Sequence, residues 1–563
     1  MRGRAFQRGL PLLLAGLLAC GGQLENPAWR NGAVVSADSL ASMAGLKILR
    51  AGGSAADAAI ATTLALAVCE PYSSGLGGGC LLVSHSAEDG VTRAISGREN
   101  APAAARFDMY LDADGLPMPD LSGAGILAVA VPCELQALAL LHEEQGHLPW
   151  HDLVEPARLL AEQGFSVGPR LGRVLAASDS LLRLHNDVAS QPWWKDGEIL
   201  DTGDRLIQPA LARSLARLQE LGVREFLELV FAPALDSLAQ ERGGILTGGD
   251  LLAVEATAET VVSGSYHGLE LRSIGAPSSG GALLIEALQV LDGQQLDTLA
   301  PRDPLRIDRV ARTLEYAFAD RARWFGDPRF CTIPLDRLLS EEYADSLRAL
   351  VTSGIRTDQA WPGLEREIRE GDHTTHVCVI DSRGNAVSLT ATINTYFGSG
   401  ITEPRTGIVL NNEMDDFVIQ PGVPNFYGLV GSPRNAVRAG ARPLSSMTPL
   451  IVLKNGQVHL VAGSQGGPKI ISTVLLHALD LVDYGMDPAD ALALPRYHQQ
   501  WRPALLMLEP AFSPASRTRL RELGWELDER TEPWSVASLL LRDPDGRLRG
   551  AADPRADGLA LGY

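Results

Sequence analysis

The sequence lacks the surplus of basic residues that nucleic-acid binding requires. Its 563 residues include 68 acidic and only 49 basic ones, which gives a formal net charge of −19. Because binding to a phosphate backbone needs concentrated lysine and arginine, we expect no nucleic-acid partner. The composition instead fits a protein that acts on small molecules.

The sequence also lacks cysteines at the close spacing that metal and redox motifs need. The six cysteines are Cys20, Cys69, Cys80, Cys133, Cys331 and Cys378. None forms a Cys-x-x-Cys spacing, which excludes the common zinc and redox motifs and predicts buried free thiols. His142 and His147 are one residue too far apart to share a zinc ion on a helix. We therefore expect neither a metal nor an organic cofactor.

Long apolar segments are absent apart from one run at the N-terminus. This run, Leu10 to Ala19, follows three arginines and is too short to span a bilayer, which is typical of a secretory signal over residues 1–19. Leu17-Leu18-Ala19-Cys20 resembles a bacterial lipobox, in which the cysteine is acylated; a plain signal peptide is the alternative. We expect an exported bacterial protein, periplasmic or anchored to the membrane through Cys20.

Residues 32–70 are predicted to form two short helices, and the stretch from about 105 to 350 is predicted to be mostly helical. Ser36 or Asp38 can cap a first helix, and Ser54-x-x-Asp57 has the pattern of a capping box for a second. Residues 134–145 and 207–221 are amphipathic. The glycine-rich stretch 75–79 predicts a tight turn with close backbone packing, since no Gly-Lys-Ser/Thr follows it. Residues 355–373 are charged and predict an exposed linker, after which the pattern becomes β-rich.

Directly after this linker the sequence predicts a β-hairpin. Residues 373–380 and 385–392 are rich in β-branched side chains, and Ser382-Arg383-Gly384 lies between them. A three-residue turn with glycine in the left-handed position is a common hairpin connection. A hairpin that is symmetric about Arg383 places Thr374 opposite Thr392, and a bulge at the turn would shift this pairing by one residue. An ordinary cross-strand threonine pair is the simpler interpretation.

The position of Thr374 favours a catalytic interpretation. A threonine hydroxyl is a poor nucleophile without a base. Cleavage before Thr374 would create an α-amine with a pKa of about 7.7–8.0 on the same residue, so nucleophile and base would be combined. The same hydroxyl could attack the His373 carbonyl, which makes self-cleavage a hypothesis.

The sequence around this hairpin resembles the γ-glutamyltranspeptidases, or glutathione hydrolases, of the N-terminal-nucleophile hydrolase superfamily. The resemblance rests on Thr374-Thr375-His376 and the block from Gly384 to Gly398. Further matching blocks cover nearly all of the chain after about residue 30: 53–59, 70–79, 98–102, 411–417, 442–447, 463–467 and 553–563.

The resemblance implies an α+β fold, a four-layer αββα sandwich. It implies cleavage into a large subunit, 20–373, and a small catalytic subunit, 374–563, which form one domain together. The implied substrates are a γ-glutamyl compound and an amino acid or peptide acceptor. The implied chemistry is hydrolysis or transfer through a γ-glutamyl ester on Thr374.

The resemblance also implies roles for the other site residues. Thr392 would hydrogen-bond the nucleophile, and the Gly466 and Gly467 amides would stabilise the oxyanion. The substrate α-carboxylate would bind Arg98, Ser445 and Ser446. Its α-ammonium, at the opposite pole, would bind Asn394, Glu413 and Asp416. Tyr427 resembles a lid residue that screens the ester from water.

Three departures from the family pattern bear on the rate. Cys378 stands where serine or threonine is usual, Gln465 where proline is more common, and Pro468-Lys469 where Ser/Thr-Arg is more common.

The competing enzyme assignments are a cephalosporin-type acylase and a poly-γ-glutamate depolymerase. A non-enzymatic assignment, an uncleaved ligand-binding lipoprotein, is opposed by the intact Thr374–Thr392 pair.

Overall fold

The structure is a computed structural model that describes residues 28–357 and 373–563. The predicted signal sequence, Cys20 and most of the predicted linker lie outside the described residues. Within them, the strands are β1 (Ala33–Ser36), β2 (Gly79–His85), β3 (Thr92–Gly97), β4 (Phe165–Ser166), β5 (Trp194–Lys195), β6 (Glu198–Ile199), β7 (Arg205–Leu206), β8 (Thr257–Glu259), β9 (Val261–Tyr266), β10 (Leu269–Ile274), β11 (Thr375–Ile380), β12 (Ala386–Thr392), β13 (Leu450–Lys454), β14 (Gln457–Ser464), β15 (Tyr497–His498), β16 (Leu506–Leu508), β17 (Leu527–Glu529), β18 (Ala537–Arg542), β19 (Leu548–Ala552) and β20 (Leu559–Gly562).

The helices dominate the chain before residue 357, as the sequence predicts. They are α1 (Ser39–Arg50), α2 (Ala55–Cys69), α3 (Pro119–Gly123), α4 (Glu134–Gln145), α5 (Trp150–Gln163), α6 (Pro169–His185), α7 (Pro209–Phe226), α8 (Ala232–Arg242), α9 (Gly248–Ala253), α10 (Gly280–Leu291), α11 (Pro304–Trp324), α12 (Leu335–Leu338), α13 (Glu341–Thr352), α14 (Lys469–Tyr484), α15 (Pro488–Ala493) and α16 (Pro514–Glu522). In residues 28–357 and 373–563, no helix is both long enough and apolar enough to cross a bilayer.

Two antiparallel sheets form the centre of the molecule. The first has the strand order β20-β1-β11-β12-β2-β3-β8, and the second has the order β19-β18-β14-β13-β10-β9. The sheets pack face to face, and the Ser388 hydroxyl of β12 donates to the Ala462 carbonyl of β14 at 3.0 Å. Helices α1 and α2 cover the outer face of the first sheet, and α10 and α14 lie outside the second. These layers are the αββα sandwich that the resemblance implies.

The side chains of β11 point alternately to the two faces of the sheet, and both faces are buried. Val377 and Val379 belong to the apolar core shared with α1 and α2. Cys378 and Ile380 belong to the core shared with the second sheet. Because side chains alternate along a strand, His376 lies on the side of Cys378, where its ring packs against Gly463 of the second sheet, and Thr374 directly precedes this strand.

Local sequence signals explain the elements that support β11 and β12. Asp38 caps α1, and Ser54 with Asp57 forms the predicted capping box of α2. In the glycine-rich turn, a Cβ atom on Gly78 would overlap the Thr392 carbonyl oxygen. The turn therefore packs against the end of β12, which confirms the predicted close backbone approach.

The hairpin and the cysteines agree with the sequence predictions. Thr375 pairs with Ala391 and His376 with Thr390, which is the register that is symmetric about Arg383. Gly384 takes the left-handed conformation with φ 88°. The five cysteines among the described residues are free thiols, and all but the half-buried Cys331 are buried.

Candidate active site

The predicted pair of threonine hydroxyls is present at the open end of the β11–β12 hairpin. The Oγ1 atoms of Thr374 and Thr392 are 3.0 Å apart, and both side chains are buried. Thr392 Oγ1 accepts a hydrogen bond of 2.9 Å from the Asn394 backbone N–H. Its own hydroxyl proton can therefore be donated to Thr374 Oγ1, the oxygen predicted to become the nucleophile.

A backbone donor holds the carbonyl that precedes Thr374. The Gly466 N–H donates to the His373 carbonyl oxygen at 3.0 Å. Gly466 has φ 122° and Gly467 has φ 58°, conformations that favour glycine. A Cβ atom on Gly467 would lie 2.7 Å from the Tyr427 ring. The predicted oxyanion loop is thus held in a shape that other residues would not fit.

Gln465, which the sequence analysis noted only as a departure from the family pattern, makes two hydrogen bonds near the nucleophile. With its amide oriented to satisfy both neighbours, Nε2 donates to the Thr374 carbonyl at 2.6 Å, and Oε1 accepts from the Arg170 guanidinium. The glutamine therefore links the nucleophile residue to a buried arginine on α6. A proline at this position could make neither bond.

Arg98 lies at the centre of a buried group of charges. Its guanidinium contacts Glu413 at 2.7 Å, Asp416 at 2.5 Å and Glu99 at 3.3 Å. Its Nε donates to the Pro443 carbonyl at 3.0 Å. The predicted carboxylate ligand and two of the predicted ammonium ligands therefore touch each other in this structure, whereas the sequence suggested opposite poles.

Burial sets the protonation of this charge group. It raises the pKa of Glu413 well above its ordinary value, with Arg98 opposing the shift and Glu99 adding to it. Burial also raises the pKa of Glu99 to about 7, against the attraction of Arg98. Burial opposes the charge on Arg98, but the surrounding carboxylates raise its pKa overall. One guanidinium faces three carboxyl groups, so an added ammonium group would favour the ionised forms of these carboxyls.

A second buried arginine, which the sequence reasoning missed, supports the serine pair. Arg321 donates from Nη2 to Ser446 Oγ at 3.3 Å and from Nε to Ser279 Oγ at 3.0 Å. Burial lowers the pKa of Arg321 to about 10, partly offset by Asp416. Ser445 Oγ accepts from the Met447 N–H at 3.1 Å. Arg321 lies in the last turn of α11, where nothing in the local pattern distinguishes it from a surface arginine.

Tyr427 lines the same cavity as the threonine pair. Its hydroxyl donates to the Asn394 carbonyl at 2.8 Å, and its ring is 6.1 Å from the His373 ring. The Asn394 side chain donates to the Asn412 carbonyl at 2.9 Å. Both residues therefore fix the loops around the threonine pair.

His373 fills the space next to these rings. Its ring centroid is 4.1 Å from that of Tyr396 and 5.7 Å from that of Phe426. Burial lowers the pKa of His373 to about 3, with smaller contributions from Lys469 and Arg170. The imidazole is therefore neutral at ordinary pH.

The predicted site residues come together at one place. All of them except Gly466 line a single cavity, namely Arg98, Thr374, Thr392, Asn394, Glu413, Asp416, Tyr427, Ser445, Ser446 and Gly467. Gly466 reaches the same place through its bond to His373. The arrangement combines a hydroxyl nucleophile, an oxyanion donor and a charged recognition group, which are the parts needed for acyl transfer.

Sequence comparison relates the chain to enzymes of one family. Residues 41–563 match the sequence model of the family described as Gamma-glutamyltranspeptidase. The glutathione hydrolase proenzyme of Escherichia coli K12 is 39% identical over 542 residues, which cover 95% of this chain and 92% of that protein. The glutathione hydrolase proenzyme of Bacillus subtilis 168 is 33% identical, with coverages of 95% and 92%.

Solved structures with the same architecture are also similar. A cephalosporin acylase from Bacillus halodurans superposes with a TM-score of 0.82 at 26% identity, covering 98% of this chain and 99% of that one. A chain of the Helicobacter pylori gamma-glutamyltranspeptidase superposes with a TM-score of 0.54 at 32% identity, covering 57% of this chain and 91% of that one.

Proposed function

The chain belongs to the gamma-glutamyltranspeptidase family, and from this we propose that it is a self-cleaving glutathione hydrolase and γ-glutamyltransferase with Thr374 as its nucleophile. The family relatives are enzymes made as proenzymes, which removes the non-enzymatic lipoprotein alternative. The residue roles below are the parts of this proposal that experiments must test.

The observation that carries the proposal is the geometry at the His373–Thr374 peptide bond. The Thr374 hydroxyl is polarised by Thr392, and the carbonyl that it would attack already accepts a hydrogen bond from Gly466. A backbone N–H aimed at that carbonyl oxygen stabilises the charge that develops during attack. An ordinary structural threonine pair has no reason to lie beside such a donor.

Maturation would proceed through an ester. Thr374 Oγ1 adds to the His373 carbonyl carbon, and the C–N bond to Thr374 breaks as its nitrogen takes up a proton. Water then hydrolyses the His373–Thr374 ester. The products are a carboxylate on His373 and a free α-amine on Thr374, which has a pKa of about 7.7–8.0 in its ordinary range. This amine would act as the base in later turnovers.

Turnover would repeat the same chemistry on a substrate amide. Thr374 Oγ1 attacks the γ-carbonyl carbon, the Gly466 and Gly467 amides stabilise the oxyanion, and the amine leaving group departs with a proton. Water or an acceptor amine then attacks the γ-glutamyl ester and releases Thr374. Tyr427, which covers the cavity, would limit the access of water to this ester.

The charges of the cavity support recognition of a free amino-acid end. Arg98 with Ser445 and Ser446 suits an α-carboxylate, because guanidinium binds carboxylate through paired hydrogen bonds. Glu413 and Asp416, with Asn394 nearby, suit the α-ammonium. A zwitterion placed here would insert its ammonium among carboxylates that now share the single Arg98 guanidinium.

A cephalosporin-type acylase is the second candidate, because the structure of such an enzyme overlays nearly the whole chain. The two assignments differ in what the Arg98 group recognises. A γ-glutamyl hydrolase must lose activity when the substrate α-ammonium is removed, whereas an acylase for glutaryl side chains does not need an α-ammonium. Comparing γ-glutamyl and glutaryl anilides as substrates separates the two.

The protein is also proposed to act outside the cytoplasm. Support comes from the arginine-flanked apolar run and from the lipobox-like sequence that ends at Cys20. Cell fractionation of the wild type and the Cys20→Ser variant tests both parts. Loss of membrane association in the variant alone indicates lipidation, and equal soluble material in both indicates a plain signal peptide.

The central experiment follows cleavage and activity together. Purified wild-type protein should give two bands on a denaturing gel, a small band whose N-terminal sequence is Thr-Thr-His, and hydrolysis of a γ-glutamyl anilide. Thr374→Ala should give one band and no activity. A single uncleaved band that retains full activity contradicts the mechanism.

A further inference from the structure

The loop between β14 and α14 binds both carbonyls that flank the Cα atom of Thr374. The Gly466 N–H donates to the His373 carbonyl at 3.0 Å, and the Gln465 side-chain amide donates to the Thr374 carbonyl at 2.6 Å. These carbonyls belong to the two peptide planes that meet at this Cα atom, and the orientations of the planes define φ and ψ of Thr374. The loop therefore holds Thr374 in its unusual conformation, with φ 89°.

Cleavage before Thr374 affects these two hydrogen bonds differently. The His373 carbonyl becomes part of a separate chain end and no longer constrains Thr374. The Thr374 carbonyl belongs to the peptide bond with Thr375, so its bond from Gln465 is compatible with the cleaved chain. Because the Cα atom of Thr374 carries both the new amine and the side chain with Oγ1, fixing the adjacent carbonyl restricts the directions of both groups.

Arg170 determines which end of the Gln465 amide faces Thr374. A guanidinium can only donate hydrogen bonds, so it requires Oε1 of Gln465, and Nε2 is then turned to the Thr374 carbonyl, which can only accept. Gln465 is fully buried, and its backbone N–H donates to the Val536 carbonyl at 2.9 Å. A carboxylate at this position could accept from Arg170 but could not donate to Thr374.

Contacts on several sides fix Arg170 in turn. It is the second residue of α6 and is buried, and its guanidinium lies 6.0 Å from the centre of the Tyr72 ring. The Tyr72 hydroxyl donates to Glu70 at 2.9 Å, and Glu70 also accepts from the Thr375 hydroxyl at 2.7 Å. Burial raises the pKa of Glu70, and the charge of Arg170 opposes this shift. The contacts that begin at Gln465 thus return to the residue that follows the nucleophile.

We propose that Gln465, oriented by Arg170, is a positioning residue that holds Thr374 by its carbonyl during both maturation and turnover. This rests on the proposed function. Gln465 acts through Thr374 and not on the substrate, whose recognition is assigned to the Arg98 group. Its loss should therefore lower kcat and leave KM close to the wild-type value.

Two substitutions separate the bond to Thr374 from the contact with Arg170. Gln465→Glu keeps the size of the side chain and the contact with Arg170 but cannot donate to Thr374, whereas Gln465→Leu loses both. In each variant we expect kcat for γ-glutamyl anilide hydrolysis, per mole of cleaved chain, to fall about tenfold with KM within about twofold of wild type, the effect of one lost hydrogen bond outside the substrate contacts. The rate of cleavage, followed on a denaturing gel, should fall similarly. A wild-type kcat in Gln465→Glu, or a change confined to KM, would overturn the proposal.

A double variant tests whether Arg170 acts through Gln465. Arg170→Met should lower kcat, because the amide of Gln465 is then free to turn away from Thr374. Gln465→Leu combined with Arg170→Met should be no slower than Gln465→Leu alone, since residues that act as one unit are not additive. Losses that multiply in the double variant would contradict the role given to Arg170.

Gln191→Leu provides the matched control. Gln191 is also a buried glutamine, and its amide donates to a backbone carbonyl, that of Thr402, at 3.2 Å. This variant should keep the wild-type kcat and rate of cleavage, and an equal loss there would overturn the specific role of Gln465. If the wild type neither cleaves itself nor hydrolyses the anilide, the proposed function itself fails, which is a separate result.

Discussion

At the scale of single residues, Thr374 combines chemistry with backbone strain. Its φ is 89°, a conformation that is unusual for a β-branched residue. Such strain costs roughly 1–3 kcal/mol where it persists. The angle is defined by the preceding carbonyl carbon, so cleavage before Thr374 removes the constraint. Strain in the uncleaved chain therefore favours the same bond breakage that the Gly466 donor assists.

The hydroxyl of Thr392 should matter for both maturation and turnover. Thr392→Val keeps the shape of the side chain but removes the hydrogen bond to Thr374 Oγ1. We expect both rates to fall about tenfold, the usual effect of one lost hydrogen bond. A time course of the two bands on a denaturing gel measures the first rate, and kcat for anilide hydrolysis measures the second.

The matched control is Thr63→Val, because Thr63 is also a buried threonine but donates to the Ala59 carbonyl within α2. It should change stability and leave both rates intact. Wild-type rates in Thr392→Val would mean that the threonine pair is only structural.

Residue-level prediction succeeded where local rules fix geometry. The Thr374–Thr392 contact followed from turn length alone, since the register of a short hairpin depends on its turn. The role of Arg321 could not be predicted, because α11 approaches Ser446 only through the packing of distant segments. The direct contact of Arg98 with Glu413 was missed for a similar reason: sequence indicates which charges occur but not the distance between them.

At the scale of elements, the loop between β14 and α14 is shaped by its backbone. Gly466 has φ 122°, and a Cβ atom there would overlap the Ser535 hydroxyl. Gly466→Ala should displace the N–H that contacts the His373 carbonyl. We expect maturation and hydrolysis to slow by about a hundredfold or more, the loss seen when one oxyanion donor is removed.

Gly485→Ala is the control at the other end of α14. Gly485 also has a left-handed conformation, with φ 59°, but nothing lies within 4 Å of its Cβ position. The substitution should lower thermal stability while kcat stays unchanged. A similar loss of kcat in both variants would show that helix stability, rather than the oxyanion donor, limits the rate.

The β11–β12 hairpin contains a histidine that makes stability depend on pH. His376 Nδ1 lies 2.9 Å from Thr390 Oγ1, and burial lowers the pKa of His376 to about 3. The unfolded chain binds a proton near pH 6.5, whereas the folded chain does not until about pH 3. The folded state therefore loses stability as pH falls through this window, by about 2 kcal/mol between pH 7 and pH 5.

Urea unfolding at pH 7 and pH 5 tests this effect in the uncleaved Thr374→Ala background, where the denatured state is one chain. Adding His376→Asn should reduce the difference in unfolding free energy between the two pH values by about 2 kcal/mol. His151→Asn, which changes an exposed histidine, should not. An unchanged pH dependence in His376→Asn would mean that this imidazole is protonated in the folded chain.

At the scale of the whole molecule, the two predicted subunits are interleaved rather than adjacent. In the first sheet, β1, β2, β3 and β8 precede residue 373, whereas β11, β12 and β20 follow it. Strand β1 lies between β11 and β20, so each of its edges pairs with a strand from the other part of the chain. The family resemblance implied one domain, and this strand order gives the physical reason.

Interleaving predicts that cleavage leaves the two parts associated. Cutting before Thr374 breaks no strand pairing, because the bond lies one residue before β11 begins. The wild type should therefore elute from a sizing column at the volume of uncleaved Thr374→Ala, and its two parts should separate only in denaturant. Residues 374–563 expressed alone should not fold, since β11 and β20 would lose β1 and expose apolar edges to water. Folding of that fragment by itself would show that the small subunit is an independent domain, and the shared first sheet could then not be what holds the mature enzyme together.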